Sequence, residues 1–149
     1  MAHRAKVRHR LANSGAVVAG LLVLAGCAPY ITAANGDRMR ANSQEFRGYA
    51  RQVFEMQNET VTRIAYALDD LESDPDQIDR YNSIVDADDR MMDACAELNN
   101  AAVARRDDKQ LGLRELAGVA SSVPDCERAT AQATQLILDA SLDPDVRLR

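Results

Sequence analysis

The chain of 149 residues has no Trp, two Phe and four Tyr, so aromatic platforms for stacking sugars or bases are scarce. It has two histidines, His3 and His9, both within the first ten residues. Everything after them lacks an imidazole, which excludes Ser-His-Asp and Cys-His nucleophilic sites and the usual His-containing zinc sites there. Lysine is nearly missing too, with Lys109 alone after Lys6. Alternating apolar and polar runs of the strand type are not evident, which leaves helical periodicity as the main structural signal. Cysteine is sparse but placed with purpose: Cys27, Cys95 and Cys126.

What is present begins with a division of charge. The first ten residues, MAHRAKVRHR, carry Arg4, Lys6, Arg8 and Arg10 and no acid. Leu11 to Gly26 then carries no charge. A basic start, a short apolar stretch and small residues before a cut point read as an export signal. The stretch is shorter than the roughly 20 apolar residues of a membrane-spanning helix and is interrupted by Asn13 and Ser14. On the residues alone it fits a secretory signal or a poor uncleaved anchor.

The block ends Leu24-Ala25-Gly26-Cys27, which resembles the lipobox of bacterial lipoproteins at every position of that motif. The resemblance covers residues 1–27 only. It implies a diacylglycerol in thioether linkage on the Cys27 sulfur, signal cleavage between Gly26 and Cys27, and an N-acyl chain on the new terminus. The residue types suit that chemistry. A thiol is the nucleophile that takes the lipid, and small side chains let an extended backbone enter a protease site. Two or more acyl chains anchor a protein durably, at about 0.8 kcal/mol per buried CH2. Ala28, where inner-membrane-retained relatives carry Asp, implies the outer membrane facing the periplasm if the cell is Gram-negative. No other cofactor is expected.

Removing residues 1–26 leaves 14 basic against 23 acidic residues, a formal charge of −9. That disfavours nucleic acid and broad adhesion to anionic headgroups. Two thiols remain, and in an exported protein Cys95 and Cys126 are expected to form one disulfide.

Residues 28–42 show no sustained apolar period, with turn signals at Pro29 and Asn35-Gly36, and read as a flexible tether. Asn42 and Glu45 fit a capping box that opens a long helix. Its apolar face is Phe46, Ala50, Val53, Ile64, Ala67/Leu68 and Leu71, interrupted by Gln57 and Thr60. Asp74 and Pro75 start a second helix with Ile78, Tyr81, Val85, Met92, Cys95, Leu98 and Ala102 on one side, ending near Arg105-Arg106. A short helix follows with Leu111, Leu113, Leu116 and Val119/Ala120, then a break at Ser121–Asp125. The last helix carries Cys126, Ala129, Ala133, Leu136/Ile137 and Ala140. The expectation is an all-α, antiparallel bundle of three long helices and one short one. The chain divides into a signal at 1–26, a lipidated Cys and tether at 27–41, a bundle at 42–143 and a frayed tail at 144–149.

Several constellations compete with the bland reading. Asp86, Asp88 and Glu97 sit at positions 1, 3 and 12 of an EF-hand loop, but Arg90 and Met91 occupy positions 5 and 6, so an acidic helix face is expected and not a calcium site. Asp69/Asp70 and Glu55/Glu59 are carboxylate pairs without a supporting cleft. Asn58-Glu59-Thr60 spells a glycosylation acceptor on a helix. The polar pair Gln57 and Thr60 marks either a partner groove or a helix that outruns its bundle. Met91 and Met92 read as core filler. The expectation is a non-enzymatic, lipid-anchored module of the cell envelope that binds another envelope protein. Structural envelope maintenance is the alternative, and a carboxylate-based hydrolase comes last. Pilotin chaperones of secretins are similar in architecture only, without a shared motif.

Overall fold

The computed structural model describes residues 28–72 and 75–142. The expected signal, the Leu24–Cys27 motif and the lipid expected on Cys27 fall outside these residues, as do the Asp74 cap and the tail at 144–149. The fold is an all-α bundle with one small hairpin. Strands β1 (Tyr30–Thr32) and β2 (Arg38–Arg40) precede helices α1 (Gln44–Glu72), α2 (Ile78–Ala94), α3 (Ala96–Arg106) and α4 (Leu113–Leu142). A 3-10 turn, Pro75–Gln77, leads into α2.

The segment read as a tether is a docked antiparallel hairpin, with Ile31 opposite Met39. Its turn uses Gly36 at φ 90°, a conformation that costs glycine little. The Asn35 side chain braces it by accepting from the Asp37 amide at 2.9 Å. Ile31 and Met39 face the bundle and pack on its core, while Tyr30, Arg38 and Arg40 face outward. The Ala41 amide donates to the Pro29 carbonyl at 3.0 Å, which closes the base of the hairpin.

Helix α1 starts two residues after Asn42. Its cap is Ser43, whose Oγ accepts from the Phe46 amide at 3.1 Å. The buried seam of α1 is Phe46, Val53, Gln57, Thr60, Ile64 and Leu71. These steps of three, four and seven keep one face against the bundle. Gln57 and Thr60 are therefore core residues, each 2% exposed, and not the overhang of a helix that outruns its bundle.

The return path differs from the expected second helix in two ways. It breaks at Cys95, which has φ −93° and ψ 0°, into α2 and α3. Helical hydrogen bonds still cross the break, from the Cys95 amide to the Met91 carbonyl and from the Asn99 amide to the Cys95 carbonyl. The buried stripe of α2 is Ile84, Ala87 and Met91, not Val85 and Met92. Met92 is 43% exposed and Ile78 56% exposed. The doublets Ile84-Val85 and Met91-Met92 are apolar at both members, so sequence spacing alone leaves the facing residue unresolved by one position.

Helix α3 ends in a left-handed cap. Asp108 has φ 53°, the Lys109 amide donates to the Ala104 carbonyl at 2.8 Å, and the Asp108 amide to the Arg105 carbonyl at 3.3 Å. Helix α4 is then opened by Glu115, whose carboxylate accepts from the Gly112 amide at 2.6 Å. It continues without a break through Pro124. The expected short third helix and separate fourth helix are one element, and the short member of the set is α3. Proline removes a donor and normally disrupts a helix interior. Here Val119, Ala120, Val123, Cys126, Thr130, Ala133 and Ile137 are buried along one stripe that stays in step across Pro124. Packing of that stripe outweighs the local penalty. The Ser121 and Ser122 hydroxyls also donate to the Gly118 and Val119 carbonyls in the turn before it.

Helix α4 packs on α1, α2 and α3. The starts of α1 and α4 lie at one end, beside Ala28 and Pro29. The start of α2 lies beside the last turns of α4 at the other end.

Candidate functional site

The two cysteines left to the folded part are joined: Cys95 and Cys126 form a disulfide with Cα atoms 4.6 Å apart. The chain runs out along α3 from Cys95 and back along α4 to Cys126, a separation of 31 residues. Cys95, Cys126, Met91, Val123 and Thr130 are fully buried, so the crosslink sits at the centre of the core. A cystine in such a place is closed to a substrate and acts as a staple.

The core around it carries polar groups. Thr60 Oγ1 donates to the Met56 carbonyl at 2.9 Å and lies 2.9 Å from Thr134 Oγ1, whose hydroxyl is free to donate to it. Gln57 Nε2 points to the Met92 sulfur at 3.5 Å, and Gln57 Oε1 has no hydrogen-bond partner. This pair, with Thr60 buried and Thr134 half-buried, ties α1 to α4. The shallow cleft above the Thr60–Thr134 pair, about 240 Å³, is lined by Met56, Glu59, Arg63 and Gln135. It is too small for most ligands of drug size.

Glu127 is a structural hub with no signal in the sequence pattern. Its Oε2 accepts from the Ala34 amide in the hairpin turn at 2.8 Å and from the Tyr49 hydroxyl at 2.6 Å. One carboxylate on α4 thus holds both the hairpin and α1. Burial, and then the bond to Glu127, push the Tyr49 phenol above its ordinary range, so it stays protonated as a donor. No spacing rule reveals this group, because the partners lie 78 and 93 residues away. On the outer face of the hairpin, Arg38 and Arg40 lie over the Tyr30 ring at 5.2 and 5.5 Å. The Arg40 hydrogen bond and charge draw the Tyr30 phenol down.

The acidic constellations are dispersed on helices. Asp86 and Asp88 are on α2 and Glu97 on α3, so no calcium loop exists there. No group of three or more potential metal ligands occurs among the described residues. Asp88 is partly buried, and desolvation followed by the neighbouring Asp89 charge raises its pKa. Asp69 and Asp70 are exposed at the end of α1. Glu55 and Glu59 are exposed as well, and Glu59 pairs with Arg63 one turn on. In the Asn58-Glu59-Thr60 triplet, Thr60 is buried and Asn58 donates to the Phe54 carbonyl at 2.9 Å.

A concavity of about 460 Å³ lies at the end where α1 and α4 begin. Ala28, Pro29, Ala41, Phe46, Leu113 and Leu116 contribute most of its apolar wall. Leu113 and Leu116, expected in the core, are 88% and 48% exposed. They fall in the first turn of α4, which starts beyond the reach of the core. No helix among the described residues is long and apolar enough to cross a membrane. No protein family, curated protein or solved structure matches the chain.

Proposed function

We propose that this chain is a lipid-anchored protein of the cell envelope whose folded part binds another envelope protein and performs no chemistry of its own. The observation that carries this reading is Leu24-Ala25-Gly26-Cys27, placed behind a basic start and a charge-free stretch. A stapled Cys95–Cys126 pair accords with an oxidising compartment outside the cytoplasm. With Ala28 after the cysteine, the anchor is assigned to the outer membrane facing the periplasm in a Gram-negative cell. The binding role is supported by the lack of His after His9 and by carboxylates that sit apart on open helix faces. In such a module, recognition falls to helix surfaces.

The anchor is tested by mass spectrometry of the N-terminal peptide with and without a globomycin-type block of signal cleavage. The expected mature peptide begins at Cys27 and carries the diacylglycerol, and the block preserves residues 1–26. A free Cys27 thiol on the mature protein refutes the anchor. The binding role is tested by crosslinking in intact cells and capture in detergent. One envelope protein recovered at constant stoichiometry supports it, and recovery of none at native expression removes it.

A further inference from the structure

The expected tether would have spanned residues 28–41, long enough to let the domain stand roughly 50 Å from its anchor when extended. The structure removes that freedom. Pro29 is held by the Ala41 amide, Ile31 and Met39 are packed on the core, and the hairpin turn is clamped by Glu127. The residue after Cys27, Ala28, already lines the apolar concavity at the end of the bundle. Lipid on Cys27 is therefore joined to the domain through a residue or two of chain, about 4–7 Å.

That end also differs in charge from the rest of the molecule. Residues 28–51 and 97–120 hold eight bases against six acids. Residues 66–72 and 75–89, at the opposite end, hold eight acids and one base, Arg80. The overall negative charge thus hides a polarity, with the basic end beside the anchor. The most exposed leucine of the described residues, Leu113, and its neighbour Leu116 lie on that same end. Arg47 lines the concavity with them, and Arg114 follows Leu113.

From this juxtaposition we propose that the end of the bundle formed by Ala28–Pro29, Phe46–Arg47 and the first turn of α4 lies directly on the leaflet that holds the Cys27 lipid. Leu113 and Leu116 enter the interface, and Arg47 and Arg114 meet the phosphates of anionic phospholipid. Amphipathic surfaces dock in this way when apolar side chains and cations share one face. The bundle then stands off the membrane with its acidic end outermost. The inference rests on the lipid-anchor reading and adds an orientation to it.

The lack of tryptophan supplies a clean reporter. Leu113→Trp and Tyr66→Trp are introduced separately into the full chain, and the lipidated mature protein is reconstituted into phosphatidylethanolamine–phosphatidylglycerol vesicles. Both positions are highly exposed, at 88% and 70%, so neither change disturbs the core. Tyr66 lies 20 residues along α1 from Phe46, about 30 Å away. The expected result for Leu113→Trp is a blue shift and loss of most of its emission to phospholipid brominated on the acyl chains. Tyr66→Trp shows neither effect. Adding Arg47→Glu and Arg114→Glu to Leu113→Trp reduces the quenching several-fold, toward its level in phosphatidylcholine vesicles. Lipidated, vesicle-bound protein with unquenched Leu113→Trp emission overturns the docking while leaving the anchor intact. A blue shift without quenching also overturns it, since the protein's own acyl chain or a second copy then fills the concavity. Equal quenching at both positions overturns the orientation. Intact mass, measured on the same sample, identifies failure of the anchor reading, and the proposal falls with it if Cys27 carries no lipid.

Discussion

Gln57 sits in the core with one weak bond to a thioether sulfur and an unpartnered Oε1. A buried acceptor left in this state costs about 1–3 kcal/mol. Methionine has a similar shape and no such group. Gln57→Met is therefore expected to stabilise the protein by about 1 kcal/mol, read as a higher urea midpoint at unchanged slope. Glu127 shows the opposite balance, because its carboxylate satisfies two donors from separate elements. Glu127→Ala leaves the part-buried Tyr49 hydroxyl unpaired and hands the exposed Ala34 amide to water, and is expected to cost about 1–2 kcal/mol. Hydrogen exchange should show the loss concentrated in amides of residues 30–40. Glu127→Gln keeps an acceptor and should cost less.

Elements were legible where periodicity was long and unambiguous. The apolar spacing of α1 was clear from Phe46 to Leu71, and turn chemistry marked Asn35-Gly36 and the α1–α2 junction. The hairpin leaves no sequence signal because each strand has three residues and only one that faces the core, too few to display alternation. Pro124 reads as a breaker in the sequence because its penalty is local, whereas the stripe of burial that overrides it runs along most of α4. The break at Cys95 had no Gly or Pro to announce it. It falls where α2–α3 is crosslinked to α4. That crosslink closes a loop of about 31 residues, so removing it as Cys95→Ala with Cys126→Ala is expected to cost about 3–4 kcal/mol in the chain-entropy model. Chemical denaturation with and without reductant measures the same quantity independently, and coincident curves would show that the bond contributes nothing.

At the scale of the whole molecule, one bond unites two strands of a long hairpin of helices near mid-height. The connection between α3 and α4 is exposed, with the Arg106 and Lys109 side chains 75% and 70% accessible. Trypsin is expected to cut there before it attacks the buried stretches. After that single cut, Cys95 remains on one fragment and Cys126 on the other, and the disulfide still holds them. Nicked protein should run as one band without reductant and as two with it. Its helical circular dichroism should be nearly unchanged until reductant is added. Two bands under both conditions would show that the crosslink is missing. The staple thus makes backbone continuity dispensable at one place: a protease that clips this turn produces two polypeptides that remain one folded molecule.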